Sequence, residues 1–122
     1  MQASQVFDYL DDDLVARVRV RRANFMDNFV HDQMVGDAIN LPAPEAGPRA
    51  VAMRTVAIVI WPAVIAVTED ALLSSTDGTV IPWPVTVERF CAFPPVLVNQ
   101  WMSAIWDLNP DWAPGREPEK KA

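Results

Sequence analysis

Cysteine and histidine are almost missing from this chain of 122 residues, which contains one of each, Cys91 and His31. A single cysteine excludes an internal disulfide, and so small a supply of soft ligands argues against a typical zinc site. The two residues form one candidate nucleophile–base pair, but such a pair needs side chains within hydrogen-bond reach and a third, orienting group. Nothing in their spacing indicates that arrangement. We therefore predict no catalytic residues, no metal and no cofactor.

Glycine and positive charge are also scarce. The chain has only four glycines, and neither GxGxxG nor GxxxxGK[ST] occurs in it, which excludes nucleotide-binding loops of those two types. Lys and Arg number 10 against 16 Asp and Glu, for a formal net charge of −6. Nucleic acids and anionic membranes attract clustered basic residues. The charge balance therefore predicts that neither is a partner.

Long hydrophobic runs are absent as well. The most apolar stretch, residues 56–67, has 12 residues and is interrupted by Pro62, whereas a membrane-spanning helix needs about 20. Residues 1–13 contain no basic residue and no apolar run of the kind found in export signals. We therefore expect neither a membrane span nor a cleaved leader.

The composition that remains is that of a folding chain, with 51% hydrophobic and 21% charged residues. Chains of this length commonly form one core. We predict a single globular domain over residues 1–112. Residues 113–122 are rich in charge and proline, which favours a flexible tail.

Hydrophobic alternation is clearest at residues 14–22, LVARVRVRR, where period two predicts a half-buried strand. Its arginines Arg17, Arg19 and Arg21 then face outward, and guanidinium groups bind carboxylates well. Three roles for this row of arginines stay open: binding an acidic protein partner, pairing with the chain's own acids at 11–13, and protecting an exposed strand from unwanted pairing. We predict that the three arginines are partner-binding residues.

Three helices follow from spacing and capping signals. Asn24 with Asp27 three residues later predicts a helix over about 25–39, whose apolar face carries Met26, Phe29, Val30 and Met34. After a proline-rich loop, length favours a second helix over about 49–67, with a kink at Pro62, although the Val/Ile-rich residues 56–67 leave a strand open.

The third helix, over about 95–108, begins at two prolines and carries an apolar face from Leu97 to Trp106. Before it, residues 74–78 have the composition of a turn, and Thr86 is positioned to cap a short helix ending near Phe90. The whole pattern predicts a mainly α protein with a small β element, within the α+β class.

Five tryptophans are many for a chain of this length. Trp83 stands between two prolines, and Trp112 lies in NPDWAP, so both fall outside the predicted regular helices. Such side chains either cover the core or anchor a partner. We include both among the predicted partner-binding residues.

The C-terminal half contains a series of short features: the Asp77-Gly78 turn, Val87 with Phe90, the Phe93-Pro94 step, an amphipathic helix through Trp101 and Ile105, and the closing Leu108-Asn109-Pro110 with Trp112. In these features it resembles small tail assembly chaperones of long-tailed bacteriophages. The arginine-alternating strand before a helix is similar to that family too, so the resemblance covers about residues 15–112. The Pro-interrupted stretch 56–67 departs from it.

The resemblance implies a non-enzymatic protein of the infected cell's cytoplasm that binds the tape-measure protein, recruits tail-tube subunits and self-associates. The family offers no set of functional residues to carry over by position. An alternative is a structural virion component, such as a head–tail adaptor or tail protein. Two further alternatives, a small Cys–His hydrolase and a membrane-active protein, rest on Cys91 with His31 and on residues 56–67.

Overall fold

The computed structural model describes residues 4–41 and 47–113, and an antiparallel sheet of four strands organises them. The strands are β1 (Ser4–Leu10), β2 (Leu14–Arg21), β3 (Thr68–Ser75) and β4 (Val80–Ile81), in that spatial order. The predicted strand at 14–22 is therefore correct, and the fold is of the mixed α+β class. The β part is larger than the one strand that the pattern predicted.

Two turns explain how neighbouring strands meet. Between β1 and β2, the Asp11 carboxylate accepts hydrogen bonds from the backbone N–H groups of Asp13 and Leu14, both at 2.7 Å. Between β3 and β4, Asp77 accepts from the backbone N–H of Thr79 at 2.9 Å, and Gly78 adopts a φ of 93° that other residues rarely adopt. The turn predicted at 74–78 is confirmed as a hairpin.

The helices are α1 (Phe25–Asn40), α2 (Pro48–Thr55), α3 (Trp61–Val67), α4 (Val87–Cys91) and α5 (Pro95–Leu108). A π-helical segment, Val56–Ile60, joins α2 to α3. We call the continuous run Pro48–Val67 the long helix. All three predicted helices are confirmed within about one residue at each end, as is the Thr86 cap of α4, which accepts from the backbone N–H of Arg89.

The long helix settles the open question at residues 56–67, where the strand alternative is wrong. Its irregularity lies just before the proline, because Pro62 has no N–H to donate to the turn below. There the N–H of Trp61 reaches back five residues to the carbonyl of Val56, which is the π-helical pattern. The predicted disturbance at Pro62 is thus a π-helical turn.

One face of the sheet builds the core. Leu14, Ala16, Val18 and Val20 of β2 are buried while the residues between them are not, as period two requires. Helix α5 packs against β1 and β2 and contacts α3. The largest fully enclosed side chains of the described residues include Trp101, Phe90, Leu97 and Ile105.

Helix α1 buries its predicted apolar face only in part. Its N-terminus is capped as predicted, since Asn24 accepts from the N–H of Asp27 and Asp27 accepts from the N–H of Asn24. Val30 and Met34 of the apolar face are partly buried, whereas Met26 and Phe29 are 61% and 59% exposed. The helix packs against α3 and the π-helical segment, while its first turn stays exposed apart from Asp27.

The predicted loop at 40–48 and the charged tail fall mainly on residues outside the described ranges, at 42–46 and 114–122. Strands β1, β3 and β4 were not predicted. β3 follows α3 without any turn residue between them, and β4 has only two residues. The local sequence of β3 and β4 therefore does not mark where these strands begin.

Candidate protein-binding surfaces

The three predicted arginines emerge from β2 on the exposed face of the sheet, and each has an acidic neighbour within the chain. Arg17 pairs with Asp8 at 2.9 Å, across the β1–β2 ladder. Arg19 lies 3.7 Å from Glu69 and 3.9 Å from Asp70 on β3. These acids compensate much of the positive charge that the sequence offered to an acidic partner. The alternative of pairing within the chain thus involves acids other than the predicted 11–13.

Arg21 is the most enclosed of the three and has a structural position. Its guanidinium donates to both carboxylate oxygens of Asp27, at 2.8 and 3.0 Å, and to the carbonyl oxygen of Ala66 at 3.2 Å. This hydrogen bonding lowers the pKa of Asp27 and raises that of Arg21. One guanidinium therefore connects the end of β2, the first turn of α1 and the end of α3.

Trp83 covers the core from its edge. Its ring centroid lies 5.2 Å from that of Trp101 and 6.2 Å from that of Trp61, and its peptide bond to Pro84 is cis. Trp101 is fully buried and donates its indole N–H to Thr68 Oγ1 at 3.0 Å. Trp83 is half-buried, so one part of the ring contacts the core and another part remains accessible.

Trp112 also lies half-buried, on the short 3-10 helix Pro110–Trp112 that follows α5. It stacks on the His31 imidazole, with ring centroids 4.2 Å apart and an interplanar angle of 14°. His31 Nδ1 lies 3.2 Å from an Asp32 carboxylate oxygen. The sequence prediction that Trp112 binds a partner stays a prediction, and its observed neighbour is α1 of the same chain.

Cys91 lies elsewhere, at the end of α4. Its thiol contacts the Met53 sulfur at 3.7 Å, in an apolar groove of about 420 Å³ that Phe90 and Phe93 also line. Burial is the largest of the effects that raise the pKa of this thiol, which keeps it protonated and weakly nucleophilic at neutral pH. His31 and Cys91 thus have different neighbours, and within the described ranges no group of three or more His, Cys, Asp or Glu is placed to hold a metal ion.

The surface that the sequence prediction missed is the first turn of α1. Phe25, Met26 and Phe29 are 80%, 61% and 59% exposed, and the two phenylalanine rings lie 6.5 Å apart, centroid to centroid. We call these three residues the α1 apolar surface. Their helical spacing was visible in the sequence, but spacing alone does not say whether an apolar stripe meets the chain's own core or a partner. Contiguous exposed aromatic and methionine side chains are typical of protein-binding sites.

The other end of α1 carries two further exposed apolar residues, Ile39 and the C-cap residue Leu41. Arg54 of α2 holds this end by donating to the carbonyl oxygens of Ile39 and Leu41, at 3.2 and 3.3 Å. A cation at these carbonyls also complements the negative end of the helix dipole. The two ends of α1 are therefore fixed by polar contacts, while apolar side chains at both ends face outward.

The exposed face of the sheet has a groove of about 880 Å³ among its open side chains. Its apolar lining includes Leu10, Val15, Leu72 and Val80, which are 74%, 39%, 67% and 71% exposed. The Asp8–Arg17 pair lies among them. This face is mixed in character, because apolar side chains and compensated charges alternate on it.

By length and composition the long helix is able to span a bilayer, unlike the 12-residue run considered in the sequence. Its last turns are nevertheless buried in the core at Pro62, Ala63, Val64, Ala66 and Val67. Core helices of soluble proteins that meet the same test are mostly buried, whereas 28% of the apolar window of this helix is buried. Arg49 and Arg54 both lie in its first two turns.

No known family model matches the chain, and no curated protein or solved structure shows significant similarity to it.

Proposed function

We propose that this protein is a non-enzymatic tail assembly chaperone of a long-tailed bacteriophage. In this proposal it acts in the host cytoplasm, self-associates, binds the tape-measure protein and recruits tail-tube subunits. The resemblance of residues 15–112 to that family supports it from the sequence. The observation that carries it in the structure is the α1 apolar surface, where three large apolar side chains remain more than half exposed.

The chemistry of that surface fits a helical client. A helix exposes apolar side chains in stripes, and recognition of one helix by another buries such stripes against each other. Phe25 and Phe29 stand one helical turn apart, so they present a ridge that fits the groove of a second helix. Burying one phenylalanine contributes about 1.5–3 kcal/mol. Losing two is therefore expected to weaken binding by about 100-fold or more.

The predicted partner-binding arginines have a smaller part in this proposal. Arg17 and Arg19 are exposed but have acids beside them, so they steer a partner less than isolated cations would. Arg21 is bound to Asp27 and is needed for the start of α1. Trp83 and Trp112 extend from the core and remain partly accessible. We place the main client contact on α1.

The test is affinity purification of the full chain from infected cells, followed by mass spectrometry, alongside analysis of purified virions. We expect co-purification of a large helical tail protein and absence of the chain from virions. We expect the double variant F25S/F29S to bind the client about 100-fold more weakly than the wild type does. V96S changes a comparably exposed apolar residue, 60% accessible, on α5 and serves as the matched control.

Because Phe25 and Phe29 make few internal contacts, these substitutions leave the fold intact, which circular dichroism checks. Stoichiometric presence of the chain in virions contradicts the proposal and favours a structural virion component. Equal client recovery by F25S/F29S and wild type shows that α1 is not the binding surface.

A further inference from the structure

The two edges of the sheet are protected to very different degrees. β4, at one edge, has two residues and is followed by Pro82 and Pro84, and short strands with prolines resist pairing with other chains. β1, at the other edge, has seven residues paired in unbroken register with β2. It contains no proline, no lysine and no arginine, and its ladder with β2 has no bulge.

An antiparallel edge strand directs alternate N–H and C=O groups away from its partner. Among the described residues no further strand pairs with β1, so these groups lie on the outer edge of the described sheet, and the strand's own side chains do little to shield them. Asp8 is its one charged residue, and that charge is engaged by Arg17 at 2.9 Å. Val6 and Leu10 are 40% and 74% exposed. The edge is thus a regular strand with two exposed apolar side chains, which is a template for another strand.

We propose that the occupant is β1 of a second copy of this chain, paired antiparallel about Phe7 to form a dimer with one continuous eight-stranded sheet. Only a two-fold axis at Phe7, the central residue, lets all seven residues of each strand pair. In that register Val6 lies opposite Asp8 of the second copy, and Ser4 lies opposite Leu10. No two like charges lie directly opposite each other.

The pairing is self-complementary on both faces of the sheet. On the inner face Phe7, whose ring lies 6.2 Å from that of Trp101, meets the same residue of the second copy, and such aromatic cross-strand pairs stabilise sheets. Gln5 then lies opposite Tyr9. On the outer face Val6 is a diagonal neighbour of Val6 and Leu10 of the second copy, within reach of side-chain contact. A two-fold contact of this kind closes on itself and ends at a dimer.

A register shifted by one pair is less favourable. An axis at Asp8 places the two Asp8 carboxylates directly opposite each other, which destabilises a sheet. An axis at Val6 leaves Tyr9 and Leu10 without partners in the strand. Pairing through one strand buries less surface than most stable dimers do, so we expect a dissociation constant in the range of about 1–100 μM.

This inference deepens the self-association included in the proposed function and rests on that function for its biological role. It uses residues of β1, whereas client binding is assigned to α1. The purified full chain without any client is therefore the right sample. A protein that binds the client but does not dimerise contradicts only the pairing of β1. A protein that dimerises but does not bind the client contradicts only the proposed function.

The experiment is sedimentation equilibrium of the wild type, V6D and V6K at about 1–500 μM, a range chosen around the expected affinity. V6D places an aspartate opposite Asp8 of the second copy twice in the dimer, and we expect dimerisation to weaken at least tenfold. V6K places a lysine opposite the same Asp8, and we expect dimerisation as tight as in the wild type or tighter. L72K, on β3 of the same exposed face and away from the edge, is the control.

Opposite responses of V6D and V6K specify both the edge and the register. If any charge at this edge weakens pairing whatever the register, V6D and V6K both dimerise more weakly than the wild type. A wild type that stays monomeric at about 500 μM, well above the expected dissociation constant, overturns the proposal, as does a V6D dimer of unchanged affinity or a V6K dimer as weak as that of V6D. Hydrogen exchange gives a measurement without substitution, since amides of β1 should exchange more slowly at high than at low protein concentration, and equal rates refute the pairing.

Discussion

Replacing Asp27 by alanine tests how α1 is attached to the rest of the molecule. Asp27 is the one buried residue of α1, and its carboxylate accepts two hydrogen bonds from Arg21 and one from the backbone N–H of Asn24. The substitution removes all three. It also leaves the Arg21 guanidinium, which is 31% exposed, without its closest counter-charge.

The magnitude follows from burial. Breaking a fully buried ion pair costs about 3–5 kcal/mol, and an exposed pair contributes about 0–1 kcal/mol. With side chains 31% and 8% exposed, the Arg21–Asp27 pair lies between these limits, at about 2 kcal/mol. Loss of the reciprocal cap adds about 0.5–1 kcal/mol. We expect D27A to lower the free energy of unfolding by about 2–3 kcal/mol, and the melting temperature by about 10 °C.

The assay is urea unfolding followed by tryptophan fluorescence, for the wild type, R21M, D27A and R21M/D27A. The double-mutant cycle should give a coupling energy of about 1–2 kcal/mol, because each single change removes the same pair. D8A breaks the Asp8–Arg17 pair, whose side chains are 65% and 62% exposed, and should cost under about 1 kcal/mol. A loss below about 0.5 kcal/mol in D27A, or additive effects in the cycle, would refute this account of α1.

Two further predictions concern the turn after α5 and the dependence of stability on acidic pH. N109A should lower the free energy of unfolding by about 2–4 kcal/mol in the same assay. The substitution removes the side chain that now binds the Ala23 N–H at 2.8 Å and the Arg21 carbonyl at 3.1 Å. A decrease below about 1 kcal/mol contradicts this prediction. Hydrogen bonds, first from the Ser75 hydroxyl, lower the pKa of Asp77 to about 2. Ionised Asp77 contributes its full stabilisation of the fold above the ordinary pKa of about 3.9, and this contribution is lost as the pH falls toward 2. Unfolding of D77N should therefore depend less on pH than wild type between about pH 4 and 2, and parallel curves would contradict this.

The elements predicted well from the sequence are those with a long and regular pattern. Strand β2 and helix α5 each bury one face against the core, so period and burial agree. Strand β3 is different, because TEDALLSS starts immediately after a helix and has only a short alternating part. Its identity as a strand comes from pairing with β2, which is a tertiary effect that local propensity does not contain.

The candidate surfaces were less predictable for a related reason. Alternation predicted correctly that the arginines of β2 face outward, but Glu69 and Asp70 lie on β3, far along the chain from Arg19. The resemblance drew attention to Asn109, whose side chain bonds to Ala23 across 86 positions in sequence. Such contacts require the fold to be known. The sequence also marked the apolar stripe of α1 without distinguishing an inner from an outer face.

Helix α1 brings these observations together. Its apolar first turn faces outward, and its described attachments at the N-terminal end are polar, through Asp27 to Arg21 and through Asn109 to the backbone of Ala23. Farther along the helix Val30 packs against the core and the His31 ring stacks on Trp112, so the polar ties fix the first turn in particular. Phe25 and Phe29 are thereby held at a defined angle to the sheet without being covered. A binding surface for a helical client needs that combination, because an anchored ridge loses less conformational entropy on binding than a mobile one.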